Sequence, residues 1–260
     1  MNQSEKNTDT IGTLVVKMLE ENGFFERLSQ SKNIINQWKT KFPIISNSLD
    51  STYDHEDRLS KGALIILAQN SWYISLSMTR SSTFELVQKI VLGNIKEVDR
   101  LMCQFYNKQL LKIRNEIISI SPSRSVILRK AFIAHKKRNY ELSIPVLLAQ
   151  ADGICQKLTN YKLFNKKRGK PLIAEYIEKL KPDSFAVTLL EPLRISSPIT
   201  EDTQSLPKPF PLNRHAVLHG IDIEYANEIN SYKAISLVAY VSSVLSLIRN
   251  QDKSNASNFT

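Results

Sequence analysis

Pro211-Leu-Asn-Arg214-His215-Ala-Val-Leu-His219-Gly220 runs into an apolar, helix-periodic segment that continues to about Ile248. Pro suits the first turn of a helix because its φ is fixed and it has no N–H to lose, and Gly suits the left-handed position just past a helix end. The spacing therefore predicts a short helix over 211–219, with Arg214 near its start and His219 at its finish. An Arg offers a planar, permanently charged fork for a phosphate, and a His exchanges protons near neutral pH. Together they are a minimal kit for phosphodiester chemistry. Five residues along an ideal helix turn through ~500° and rise ~7.5 Å, so the two side chains do not share a helix face. They converge only if His219 lies at a frayed end or if a second subunit contributes.

The rest of the chain is consistent with that helical reading. It has 260 residues and 42% hydrophobic residues, enough for a sizeable core in one large domain or two small ones. It holds only seven Gly and ten Pro, and long helix-friendly stretches outnumber alternating β-branched runs, which favours an all-α helical bundle. Two Cys, Cys103 and Cys155, without a secretory apolar region point to a reducing, cytoplasmic setting. The apolar window Gly62–Met78 contains Gln69, Asn70 and several Ser, which makes it a buried helix rather than a membrane span.

Along the chain, residues 1–10 read as a disordered tail and 11–120 as an N-terminal helical region of undetermined role. Within it the spacing predicts helices over about 11–30, 34–38, 58–78, 83–92 and 95–120, with Ser81 or Ser82 capping the fourth and Gly93-Asn94 ending it. Trp72 and Tyr73 fall mid-helix in this reading and are expected in the core. Ser121-Pro122-Ser123 is the candidate boundary. Beyond it lie a helix from about Arg124 to Arg138, one from Asn139 to Leu158 whose start Pro145 delays or kinks, and shorter helices over 171–180 and 183–193. A loop over 194–210 leads into the Arg214 segment. The closing helix, about 226–248, carries an apolar stripe wider than one partner requires, which suggests contact with both the core and a second subunit. Residues 251–260 read as a disordered tail.

Charge is distributed unevenly. Residues 121–170 hold twelve Lys and Arg against two acids, Glu141 and Asp152, so this segment alone accounts for the chain's net +10. Such a cluster attracts polyanions, and it equally serves as a solvated basic face. Lys136, Lys137, Arg138, Lys166, Lys167, Arg168 and Lys170 are the candidate RNA-backbone contacts. Lys166-Lys167-Arg168-Gly169-Lys170 reads as a basic loop without P-loop spacing. His135, beside Lys136, reads as a surface residue. Asp152, amid apolar neighbours, reads as a helix-terminus acid or Arg partner, or as an orienter of His219. His215 and His219, at i and i+4, share a face suited to a metal, with Asp222 and Glu224 nearby. No Glu follows His215 and no further Cys or His completes a set, so no metal or other cofactor is expected. The competing reading of the whole segment is structural: a capped helix whose Arg and His pair with acids.

Arg214-x4-His219, with polar His215 directly after the Arg and Asn213 before it, resembles the Arg-x4-6-His signature of HEPN domains. The likeness extends over about 121–250: a pair of long helices, the motif, then a closing helix. HEPN domains are all-α, dimerising modules, many of them metal-independent RNases, so the resemblance implies a HEPN-like domain over 121–250. It also implies a homodimer with a site at the subunit interface, and Arg214, His219, His215 and Asn213 as catalytic residues. The implied activity is endoribonuclease cleavage of RNA, tRNA included, leaving a cyclic phosphate and a 5′-hydroxyl. The implied setting is toxin or phage defence, with an antitoxin or regulatory partner and no membrane. In HEPN toxins paired with nucleotidyltransferase antitoxins a Tyr lies two residues after the His; here that residue is Ile221, and Tyr225 lies further on. The alternative from another class is a catalytically inactive RNA- or protein-binding helical module that uses the basic segment.

Overall fold

The computed structural model describes residues 55–180 and 185–257. The expectations for 1–54 and 258–260 lie outside them. The described chain is mostly helical: α1 (His55–Gln69), α2 (Arg80–Val91), α3 (Ile95–Ile120), α4 (Ser125–Lys136), α5 (Tyr140–Thr159), a hairpin of β1 (Lys166–Lys167) and β2 (Lys170–Pro171), α6 (Ile173–Ile177), α7 (Phe185–Arg194), α8 (Arg214–Leu218) and α9 (Glu228–Ser257).

The fold is assembled around α9. Ala234, Ile235, Leu237, Val238, Tyr240, Val241, Val244 and Leu245 are all buried, and at ~100° per residue they occupy the whole circumference of the helix only together with buried Ser236 and Ala239. Each buried aliphatic side chain contributes about 1.5–3 kcal/mol. Ser236 and Ser242 are buried too, and each returns its hydroxyl to a carbonyl of its own helix, of Lys233 and of Val238, both at 2.7 Å. The segment Glu228–Asn250 is long and apolar enough to cross a bilayer, but 78% of its most apolar window is buried inside the molecule. α5, α3 and α7 pack against α9, while α4 lies on α5 and α1 on α7. Most of the wide apolar stripe of α9 is thus covered within one chain. The helix also runs on to Ser257, through most of the segment expected to be a tail.

Several boundaries differ from the sequence reading for local reasons. α1 stops at Gln69 because Ser71 takes a left-handed conformation (φ 62), with Trp72 N bonded back to Leu67 O and Ser71 N to Ala68 O. Trp72 and Tyr73 therefore follow the helix instead of lying within it, although both are core residues as expected. Trp72 Nε1 donates to Asp99 Oδ1 at 2.7 Å, and the Tyr106 hydroxyl donates to Tyr73 O at 2.6 Å, pinning this segment to α3. α2 is capped by Thr79, whose hydroxyl accepts from Ser82 N, and so begins ahead of Ser81 and Ser82. At Ser121 the chain makes a turn inside one hydrophobic core, which continues from α1 through α9.

Pro145 neither delays α5 nor ends it. The helix begins at Tyr140, and Pro145, lacking an N–H, leaves Glu141 O without its helical donor. The Tyr225 hydroxyl donates to that carbonyl at 3.0 Å.

His135 is buried, not on the surface. Its Nδ1 meets Ser231 Oγ at 2.8 Å, Ser231 meets Ser143 at 2.9 Å, and its ring stands edge-on to Tyr232 with centroids 4.5 Å apart. Desolvation by burial, with Lys136 adding repulsion, pushes its pKa down to about 4. As pH falls from 6.5 towards 4, the unfolded chain takes up a proton that the folded chain refuses, so stability drops across that window and levels off below it. The expected loss is about 3 kcal/mol. Urea unfolding at pH 7 and pH 4 should show this loss for the wild type and a loss smaller by about that amount for His135→Gln. An equal pH dependence in the two proteins would remove His135 as its source.

Candidate functional site

The site is built on Asn213. This residue is fully buried and N-caps α8, its Oδ1 accepting from Ala216 N at 2.8 Å. Its Nδ2 donates to Pro198 O at 2.6 Å and Glu201 O at 2.9 Å. One side chain thereby fixes the start of α8 and fastens the 197–201 turn to it, and Arg214 N adds a bond to Ile199 O at 3.0 Å. α8 is shorter than expected: it begins at Arg214, and Pro211 lies outside it. Asn213, proposed from sequence as a catalytic group, has its oxygen and amide committed to backbone partners.

The far end of α8 closes as the sequence suggests. His219 is the C-cap, Gly220 follows at φ +68, Ile221 N bonds to Ala216 O at 2.8 Å and Gly220 N to Val217 O at 3.3 Å. This is a Schellman closure, and it turns the chain sharply away after His219. His215 and His219 are both exposed, one turn apart, with ring centroids 4.3 Å apart and planes at 44°.

Asp152 supports the opposite wall. Its Oδ1 accepts from Leu163 N at 2.7 Å and Phe164 N at 3.4 Å, so the carboxylate organises the backbone after α5; it is neither an Arg partner nor an orienter of His219. Phe164 lies beneath the Arg214 guanidinium, 5.6 Å from its carbon to the ring centroid. Arg214 Nε is buried and has no hydrogen-bond partner among the described residues.

The basic loop is a two-stranded hairpin, Lys166 opposite Pro171 and Lys167 opposite Lys170. Its two turn residues, Arg168 (φ 51) and Gly169 (φ 79), both have positive φ, as a two-residue turn that matches strand twist requires. Lys166 pairs with Glu201 at 2.9 Å and Lys167 with Glu175 at 3.1 Å, whereas Arg168 and Lys170 are exposed with no ion pair among the described residues.

Arg214, His215 and Lys166 line an open cleft of about 170 Å³ with Phe164, Ile199, Thr200, Glu201 and Asp202. His219 adjoins the cleft through His215. Lys136, Lys137 and Arg138 are exposed at the α4–α5 turn, which the Tyr225–Glu141 bond joins to the loop following α8. Sequence reasoning missed Phe164, Ile199, Thr200, Glu201 and Asp202: they come from irregular segments, and long-range bonds, those of Asn213 and Asp152 foremost, bring them to the motif. Among the described residues no group of three or more His, Cys, Asp or Glu is placed to hold a metal, and Cys103 and Cys155 are free thiols.

Comparison with protein-family models, curated proteins and solved structures finds no match to this chain.

Asn213→Ala should cost about 2–3 kcal/mol, combining the lost cap with two buried carbonyls left without donors. Asn213→Ser, which keeps a cap acceptor but not the two donors, should recover about 1 kcal/mol of it. Urea midpoints measure both, and a change under about 0.5 kcal/mol for the Ala variant would mean that Asn213 does not hold this loop.

Proposed function

We propose that the chain is a metal-independent endoribonuclease of HEPN type that acts on single-stranded regions of RNA, tRNA among the candidates. The observation that carries the reading is the convergence at one cleft of Arg214, Lys166 and His215, with His219 against His215 on the solvent side. Arg214 has the fixed charge and the fork to stabilise a phosphorane as the neighbouring 2′-hydroxyl attacks, and histidines at solvent are suited to carrying the proton. The products are a 2′,3′-cyclic phosphate and a 5′-hydroxyl. The exposed cations of the hairpin, Arg168 and Lys170, and those of the α4–α5 turn, Lys136, Lys137 and Arg138, are available to the RNA backbone.

A homodimer through the motif end belongs to this proposal. Its support is the cluster of uncovered apolar side chains around His219, namely Leu218, Ile221 and Ile223, the last 85% exposed. The cytoplasmic toxin or defence setting, with an antitoxin or regulatory partner, follows from the resemblance of the Arg214–His219 motif.

The second reading is a binding module without catalysis. It is favoured by the exposed cations Lys136, Lys137, Arg138, Arg168 and Lys170, which have no ion pairs among the described residues. The two readings separate in one set of assays on total RNA and tRNA. An enzyme cleaves with EDTA present, and His219→Ala lowers the rate by at least ~10²-fold. A binding module leaves the RNA intact. In either case Arg168→Ala with Lys170→Ala should flatten the dependence of log K on log salt by roughly 1.4, if each cation meets one phosphate of a single strand. An unchanged slope removes the hairpin from the RNA interface.

A further inference from the structure

We propose that His215 and His219 form a complete acid–base pair within one protomer, with His215 removing the 2′-hydroxyl proton and His219 protonating the departing 5′-oxygen. The inference rests on the RNA-cleaving reading above and deepens it.

Transesterification of RNA needs two proton transfers. The bond from the 2′-oxygen to phosphorus forms as the bond from phosphorus to the 5′-oxygen breaks. The 2′-hydroxyl gives its proton to a base, and the 5′-oxygen receives one from an acid. A single imidazole cannot do both at once, because the two oxygens stand at opposite apices of the phosphorane. The structure offers two imidazoles side by side. Their centroids are 4.3 Å apart, comparable with the separation of those two apical oxygens, and both rings are exposed. A phosphate lying along the pair places one apex against each ring.

Position assigns the roles. His215 lines the cleft together with Arg214 and Lys166, the cations that would hold the phosphate and the sugar bearing the nucleophile. His219 does not line the cleft; it lies exposed in the single chain at the end of α8, beside the Gly220 turn where the chain departs. The leaving strand exits there. Neither ring has a carboxylate partner among the described residues, and no metal site is formed with a third ligand.

The test uses the full-length protein and an oligoribonucleotide spanning the cleavage position mapped in total RNA. It is made in two forms, one ordinary and one with sulfur replacing the 5′-bridging oxygen at the scissile bond. A thiolate leaves without protonation, so the sulfur substrate has no need of the acid. On the ordinary substrate His215→Ala and His219→Ala should each lose roughly 10²–10⁴-fold in rate. On the sulfur substrate His219→Ala should regain most of its loss while His215→Ala does not. The wild type should show a bell-shaped pH–rate profile on the ordinary substrate, and His219→Ala on the sulfur substrate should keep only the rising limb that reports the base. Near-wild-type activity of His215→Ala, rescue of His215→Ala by sulfur, or rescue of neither variant would overturn the assignment while leaving the RNase reading intact. A wild-type protein that cuts neither substrate nor any cellular RNA overturns both.

Discussion

The burial of the middle of α9, from Ser231 to Leu245, is the constraint on which the other elements depend. A helix with apolar side chains around its whole circumference must be surrounded, and α3, α5 and α7 do this within the chain. α4 then lies on α5 and α1 on α7, while α3 keeps an outer face in solvent. One consequence is electrostatic. The partly buried Lys233 of α9 is held by Asp99 at 3.6 Å and lies over the Trp72 ring, while burial lowers its pKa and Asp99 counters the shift. The Asp99 carboxylate also receives the Trp72 indole N–H, so one acid from α3 satisfies both a cation and an aromatic donor at the edge of the core.

The motif lies outside that packed frame and is held by polar bonds. Asn213, Asp152 and Tyr225 have equivalent tasks: each supplies a side-chain atom to a backbone group that irregular structure leaves unpaired. Asn213 docks the 197–201 turn, Asp152 sets the chain that carries Phe164 and the hairpin, and Tyr225 takes the carbonyl that Pro145 cannot serve. The last case links two features far apart in sequence. A proline within a helix would normally expose a carbonyl to solvent, and here that carbonyl becomes the docking point for the loop leaving α8. This places the exposed cations at the α4–α5 turn beside the same loop.

These differences determine what could be read from the sequence. α3 was legible to the residue because its apolar positions recur at helical spacing between a Gly stop and a Pro turn, both local signals. The all-α class followed from many such runs. The Arg214–His219 segment was legible as a capped helix with a glycine stop, but its start was misplaced by three residues because Pro211 is outweighed by the Asn213 cap. His135 was misread because the adjoining Lys136, Lys137 and Arg138 suggested solvent, whereas the ring faces the opposite side of α4 and meets Ser231, 96 residues away. Trp72 was misplaced because the apolar run does not break in composition at Gln69. It breaks in backbone conformation at Ser71, a residue type that seldom adopts positive φ. Long-range hydrogen bonds leave no periodic trace, and they are what assemble the cleft.

The same reasoning refines the meaning of the basic segment. Its net charge is concentrated in sequence, but the structure divides it by task. Arg124 is consumed internally, donating to Gln150 at 2.8 Å and to Gly153 O at 2.9 Å, and Lys166 and Lys167 are neutralised by Glu201 and Glu175. Lys166 is the informative case, because its partner Glu201 lines the cleft with it. An incoming phosphate near Arg214 must compete with that carboxylate for the ammonium. On the proposed reading, exposed cations such as Arg168 and Lys170 would set how strongly a polyanion is drawn in, with the salt dependence that counterion release imposes. On the same reading, the Lys166–Glu201 pair would set how deeply a phosphate can settle beside Arg214, because its side chains are only 23% and 30% exposed and salt screens it less than the outer charges. Attraction and seating would then fall to different residues of one hairpin.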